Sequence, residues 1–348
     1  MSKHVLVTGG AGFIGSNVSD AFLRSGWRVT VFDNFSRPGA LANARWLKTS
    51  HGRRVHILRG DIRRLPRGFV RLVDQADLVI HNAGQVAVTT SVTDPRTDFD
   101  VNAAGTFEVL EAIRASRRRP PIVFSSTNKV YGGLAGILTR RVGGRYALLG
   151  APHGIPESFP LDFHSPYGCS KGAADQYVRD YARIYGLRTV VFRKSCIYGP
   201  RQFGVEDQGW VAWFTLAAIH RHPITIFGDG RQVRDVLYSD DLVRAYQAAF
   251  RHIDRAAGRV FNVGGGPRNT LSLRELLAIL ERLLGRPIPV RYADWRPGDQ
   301  KIYVSDIRQA RRLLGWAPAI DPERGVRRLY AWIRRNPGLF RHMAKGRA

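Results

Sequence analysis

The sequence predicts an α/β protein: a doubly wound parallel sheet with a smaller C-terminal α/β lobe. Three observations predict it. Short apolar runs alternate with amphipathic stretches through the first 195 residues or so, the pattern of strands covered by helices on both faces. A glycine-rich turn follows the first apolar run at once. At 348 residues the chain exceeds the length that one hydrophobic core usually serves, so two lobes are expected.

Val5-Leu6-Val7-Thr8 reads as a buried parallel strand. Gly9-Gly10-Ala11-Gly12-Phe13-Ile14-Gly15 comes next, then a helical pattern through Val18, Ala21 and Phe22. Small residues there let the backbone approach a pyrophosphate, and the helix start offers free N–H groups and a positive dipole end. A second strand over residues 28–32 ends at Asp33-Asn34. Asp33 lies 21 residues after Gly12, close to the spacing of a carboxylate that binds adenosine ribose hydroxyls. A carboxylate repels a 2′-phosphate, which favours NAD over NADP, while Arg37 nearby keeps NADP open.

A third strand over 55–59 leads to Asp61-Ile62, and a fourth over 77–81 leads to Asn82-Ala83-Gly84. A helix over about 101–116 opens with Val101-Asn102, and a fifth strand over 122–126 leads into Ser125-Ser126-Thr127. Ligands of such sheets sit beyond the carboxyl ends of the strands. Gly9, Asp33, Asp61, Asn82 and Ser125 all fall there. Residues 132–160, rich in Gly, Pro and Arg and without periodicity, read as a long loop and a lid over the site. A helix starts near Ser165-Pro166, with Ser at the N-cap and Pro at the first helical position. A second alternation fills residues 189–335, and the arginine-rich tail from 336 is expected to fray.

In that helix Tyr167 precedes Lys171 by four residues, so both side chains share one face. A free tyrosine titrates near a pKa of about 10 and is a poor base at neutral pH. An ammonium one turn away favours the phenolate. Alone the pair is common; beside the glycine turn it reads as a proton-transfer site.

Composition bounds the rest. Cys169 and Cys196 are too few for a disulfide framework or a metal cluster, so no metal and a reducing, cytoplasmic location are expected. No apolar run approaches the roughly 20 residues that cross a bilayer. The first residues reach glycine too soon for a signal-peptide core, so no membrane association is expected. Of 54 basic residues, seven are lysine and 47 arginine, for a net charge of +26. The arginines are spread along the chain without a nucleic-acid motif. A solvated arginine-rich surface is therefore preferred over nucleic-acid binding.

These residues resemble the extended short-chain dehydrogenase/reductase family of nucleotide-sugar enzymes, which adopt the Rossmann fold. The likeness runs from Thr8 through Trp316. Within the family, four segments are most similar to the CDP-paratose (CDP-tyvelose) 2-epimerases: 126–132, 161–171, 196–203 and 207–211. The resemblance implies an isomerase, an NAD-dependent epimerase of a nucleotide-diphosphate sugar, with UDP- or GDP-sugar epimerases as the alternative and a non-catalytic NAD-binding protein further off. It implies Tyr167 as acid/base, Lys171 as its ribose-binding partner and Thr127 as the hydroxyl that orients both. Cofactor positions would be Gly9, Gly12, Phe13, Ile14, Gly15, Asp33, Asn34, Asp61, Ile62, Asn82, Ala83, Gly84, Asn102, Ser125, Tyr167 and Lys171. Asn102 matches a structural, helix-kinking asparagine. Arg234 and Arg296 match arginines that clamp a diphosphate, a task suited to guanidinium. Asn128, Lys129, Cys196, Arg201, Gln202 and Gln208 would also face substrate, and His164 is weighed as a sugar contact against a plain loop role. The family's 4,6-dehydratases carry Asp-Glu where this chain has Asn128-Lys129, which argues against dehydration. Relatives of this kind imply a homodimer or homotetramer. The implied domains are a cofactor-binding 1–195 with about 234–264, and a nucleotide-sugar lobe of about 196–233 with 265–348.

Overall fold

A computed structural model describes residues 2–296 and 299–340; Pro297, Gly298 and the tail beyond 340 lie outside the described residues. In the first half, β1 (His4–Thr8), α1 (Phe13–Arg24), β2 (Arg28–Asp33), α2 (Ala40–His51) and β3 (Val55–Arg59) alternate. They are followed by α3 (Phe69–Asp74), β4 (Leu78–His81), α4 (Val88–Thr93), α5 (Pro95–Phe99), α6 (Gly105–Ala115) and β5 (Ile122–Thr127). A hairpin of β6 (Thr139–Val142) and β7 (Arg145–Leu148) precedes α7 (Ser165–Tyr185), β8 (Thr189–Lys194) and β9 (Cys196–Tyr198). The rest is α8 (Trp210–His220), β10 (Ile224–Phe227), β11 (Val233–Tyr238), α9 (Ser239–Arg251), α10 (Ile253–Ala256), β12 (Arg259–Val263), β13 (Thr270–Ser272), α11 (Leu273–Leu284), β14 (Val290–Ala293), β15 (Ile302–Tyr303), α12 (Arg308–Leu314) and α13 (Pro322–Arg335).

Seven strands form one parallel sheet in the order β12-β8-β5-β4-β1-β2-β3. The order reverses beside β1, and a crevice opens at such a reversal. Both faces are covered. Phe22, Leu47, Tyr246 and Phe261 pack on one side; Phe69, Leu110, Ile113, Val178 and Tyr181 pack on the other. That double burial explains why the strands read as unbroken apolar runs. Residues 307–316 return to the first face, where Leu314 and Trp316 join its core. The second lobe has its own core of α8, α11 and α13 around Leu216, Leu280 and Leu329, and β11 pairs with β9, β13 and β15 there.

Two expectations need correction. Residues 132–160 are not a lid: they carry the β6–β7 hairpin, whose Tyr146 packs against Val233, Ile302 and Val304 and bonds Asp229 at 3.0 Å. None of them lines the cleft. Of the tail expected to fray from 336, residues 337–340 instead form a turn that buries Phe340, and the rest lies outside the described residues. Near Ser165 the expected cap bond is present, the Gly168 N–H donating to Ser165 Oγ at 3.2 Å, although the helix already includes Ser165. No helix among the described residues is long and apolar enough to cross a membrane.

Candidate active site

A cavity of about 860 Å³ lies between the carboxyl edge of the large sheet and the second lobe. Its first wall is the glycine turn with Gly9, Gly12, Phe13, Ile14 and Gly15. A Cβ on Gly15 would sit 2.1 Å from the Gly9 carbonyl oxygen, so only glycine lets the helix start this close to the turn. Asp33 at the end of β2 accepts the Ala11 N–H at 2.9 Å and the Phe35 N–H at 2.8 Å. It therefore fixes the turn while its remaining lone pairs face the cavity. Asn34 donates to Asp61 at 3.0 Å, and the Arg63 guanidinium holds the Asp61 carboxyl well below the usual range.

Beyond these lie Ile62, Asn82, Ala83, Gly84 and Ser125. Asn82 Oδ1 accepts from Ser125 Oγ and from Tyr246 at 2.7 Å. Its buried Nδ2 finds no acceptor among the described residues. A glycine cradle, a carboxylate at the second strand and an unsatisfied buried amide donor together fit a dinucleotide.

Thr127, Tyr167 and Lys171 line the deep end, beside Asn128 and Lys129. Thr127 ends β5 and Tyr167 opens α7, which sets both hydroxyl-bearing side chains on the cleft wall. Lys171 reaches over the Phe124 ring, its Nζ 4.2 Å from the centroid. The electrostatics differ from the expected lowering of the tyrosine by the lysine. Burial pushes the Tyr167 hydroxyl up to about 12, with the Thr127 hydroxyl opposing. Burial pushes Lys171 down to about 7, with Asp175 and Asp98 opposing. In the ligand-free cleft desolvation favours the neutral form of each group.

Asn102 does not line the cavity. It lies fully buried in a wide helical turn over Asp100–Ala104, accepts the Gln85 N–H at 3.0 Å and donates to Asp98 and Ser170 at 3.1 Å each. It works from behind, tying the 82–87 loop to α7. His164 does not line the cleft either: it is exposed and paired with Asp162 at 2.9 Å.

The remaining expected contacts, Cys196, Arg201, Gln202, Gln208, Arg234 and Arg296, all face the cavity. Arg234 pairs with Asp299 at 2.8 Å and Arg296 with Asp207 at 3.0 Å. Cys196 accepts the Trp210 indole N–H at 3.3 Å, and burial pushes its thiol up. Lys129 is driven down to about 8 by burial and by Arg234. Lys194, which sequence reasoning missed, also lines the cavity; burial and Lys171 push it down to about 7. Its available signal was a charge closing an apolar strand at the sheet's carboxyl edge.

The family described as NAD dependent epimerase/dehydratase matches residues 5–264. The chain is 44% identical over 335 residues to the CDP-paratose 2-epimerase of Salmonella typhi, covering 94% of this chain and 98% of that one. It is 31% identical to a putative UDP-glucose 4-epimerase of Methanocaldococcus jannaschii, over 95% and 99% of the two chains. The Bacillus cereus UDP-glucuronic acid 4-epimerase, solved with UDP-glucuronic acid and NAD, superposes with a TM-score of 0.81 at 27% identity, over 95% of this chain and 99% of that one. The chain therefore belongs to the NAD dependent epimerase/dehydratase family and is an NAD-dependent nucleotide-sugar epimerase.

Proposed function

We propose that the protein inverts C2 of a CDP-3,6-dideoxyhexose, converting CDP-paratose to CDP-tyvelose. The 44% identity to the Salmonella typhi CDP-paratose 2-epimerase over nearly its whole length carries this reading. Tyr167 takes the proton of the sugar hydroxyl and later returns it. Thr127, on the same cleft wall as Tyr167, orients that hydroxyl. Gly9, Gly12, Phe13, Ile14, Gly15, Asp33, Asn34, Asp61, Ile62, Asn82, Ala83, Gly84, Ser125 and Lys171 would hold NAD, with Asn102 supporting them from behind. Bound NAD supplies a hydride acceptor that gives the hydride back, and a cationic ring that favours the Tyr167 phenolate. Lys129, Arg234 and Arg296 grip the diphosphate, so the keto sugar can turn without leaving. Asn128 and Lys129 provide no carboxyl pair for dehydration. Cys196, Gln202 and Gln208 complete the sugar-nucleotide wall. Incubation with CDP-paratose, read by NMR of the product, should give CDP-tyvelose. Inversion of C4 in a UDP-hexose, with CDP-paratose untouched, would overturn the reading.

Diphosphate binding should take up protons near pH 8. Lys129 in the free protein sits at about 8, and a nearby dianion raises it in the complex. Affinity is then greatest below that value and falls as pH rises through it. Calorimetry with the nucleotide sugar at pH 8, in buffers of different ionisation enthalpy, should record net uptake in the wild type and less in Lys129→Met. Proton release would contradict the assignment.

We also propose two lobes, 1–195 with about 234–264 for the cofactor and about 196–233 with 265–348 for the sugar nucleotide, residues 307–316 bracing the first. The chain self-associates through α6 and α7. Phe107, Tyr177, Ile184 and Tyr185 are exposed on them, and Phe107 meets Tyr177 with ring centroids 5.9 Å apart; such an apolar patch marks an interface. Ile184→Glu with Tyr177→Glu should convert a dimer or tetramer to lower mass in light scattering.

A further inference from the structure

Residues 200–209 leave β9 and cross to the cofactor half of the molecule, where they are tied down at several points. The Asn17 side chain on α1 donates to the Pro200 carbonyl at 2.9 Å. Asn43 on α2, fully buried, donates both to the Ala11 carbonyl of the glycine turn at 3.1 Å and to the Arg201 carbonyl at 3.3 Å. Arg37, four residues past Asp33, donates to Gln208. The Phe203 ring lies against Gly39 so closely that a Cβ there would fall 2.0 Å from it.

Arg201 is the centre of this segment. Its backbone is left-handed, φ +67°, which is uncommon for a residue with a side chain and needs support from its surroundings. The guanidinium lies 4.0 Å from the ring centroid of Trp46 on α2 and 5.6 Å from that of Trp332 on α13. Trp332 in turn meets Phe340 edge-on at 5.8 Å, and Phe340 meets Phe203 at 5.3 Å. One arginine thus joins the cofactor lobe to the C-terminal helix, while its neighbours line the same cavity as Gly12 and Asp33.

We infer that residues 200–209 are a clamp over the adenosine end of the cofactor cleft, pinned by Arg201 between Trp46 and Trp332, and that the clamp sets how long the cofactor stays bound. The inference rests on the proposed seat of the adenosine ribose at Asp33. An enzyme that restores its cofactor in every turnover has no need to release it. Release requires the segment to lift, which separates the guanidinium from both indoles and breaks the Asn17, Asn43 and Arg37 bonds.

The test is cofactor exchange. Wild type, Arg201→Met and Trp332→Leu are loaded with labelled NAD and chased with unlabelled NAD, and the retained label is followed in time. Thermal unfolding of each loaded protein reports folding. Both variants should release label about tenfold faster or more, the loss of one to two cation–π contacts. Trp332→Leu carries the test alone if Arg201→Met does not fold. Release at the wild-type rate from the folded variants, with only the KM for the nucleotide sugar raised, would make Arg201 a substrate contact and overturn the clamp. Rapid release from a wild type that still epimerises would also overturn it and leave the proposed activity standing; absence of epimerisation would strike the activity instead.

Discussion

Replacing Tyr167 by phenylalanine should lower turnover about 10³-fold, the range lost when a positioned acid/base is removed. The change deletes one hydroxyl. In the ligand-free cleft that hydroxyl is pushed up to about 12 by burial, with Thr127 opposing, so its loss removes a desolvated polar group. Stability should therefore stay within about 1 kcal/mol of wild type, and NAD should still bind. Steady-state turnover of CDP-paratose, urea unfolding and the nucleotide content of the purified variant check the three parts separately. Turnover within about tenfold of wild type would remove Tyr167 from proton transfer. Thr127→Val should fall less, because it leaves the phenol in place.

The largest loss of stability is expected at Arg193→Met. Arg193 is 1% exposed and Asp175 is fully buried. Nε and Nη2 each meet a carboxylate oxygen at 2.9 Å. Nη1 donates to Tyr131 at 3.1 Å, and Ser126 donates to Asp175 at 2.7 Å. Removing the arginine leaves a carboxylate stranded behind β5 and β8, which costs about 3–5 kcal/mol for a buried pair. The urea midpoint should fall with an unchanged slope. The double change Arg193→Met with Asp175→Leu should recover much of the loss, since two apolar groups need no partner. A double variant as unstable as the sum of the singles would show that packing, not the stranded charge, sets the cost.

The parallel sheet was legible because its strands are buried on both faces and so read as apolar runs, as in Val5-Leu6-Val7 and Val190-Val191-Phe192. The β6–β7 hairpin was not, because Thr139–Val142 is exposed along its whole length and carries no apolar alternation; its anchors are the buried Tyr146 and the half-buried Leu148 on β7. In the site, helical spacing brought Tyr167 and Lys171 together, and the family resemblance added Thr127. Spacing could not give the sign of their electrostatics, which desolvation sets and which depends on the walls contributed by distant strands. The same holds for Asn102, whose partners Gln85, Asp98 and Ser170 come from three separate stretches. Arg201 read as a substrate contact from its segment, and its stacking between Trp46 and Trp332 needed the fold. Part of the positive charge has a local reason, since Arg37, Lys129, Lys171, Lys194, Arg201, Arg234 and Arg296 all line one cavity.

Reversible removal and return of a single hydrogen at the inverted carbon is the central claim. It is tested most directly with CDP-paratose deuterated at C2, converted in ordinary water and followed by NMR. The account predicts CDP-tyvelose that keeps its deuterium at C2. Product in which solvent hydrogen has replaced the label would contradict it, because the inversion would then run through proton exchange.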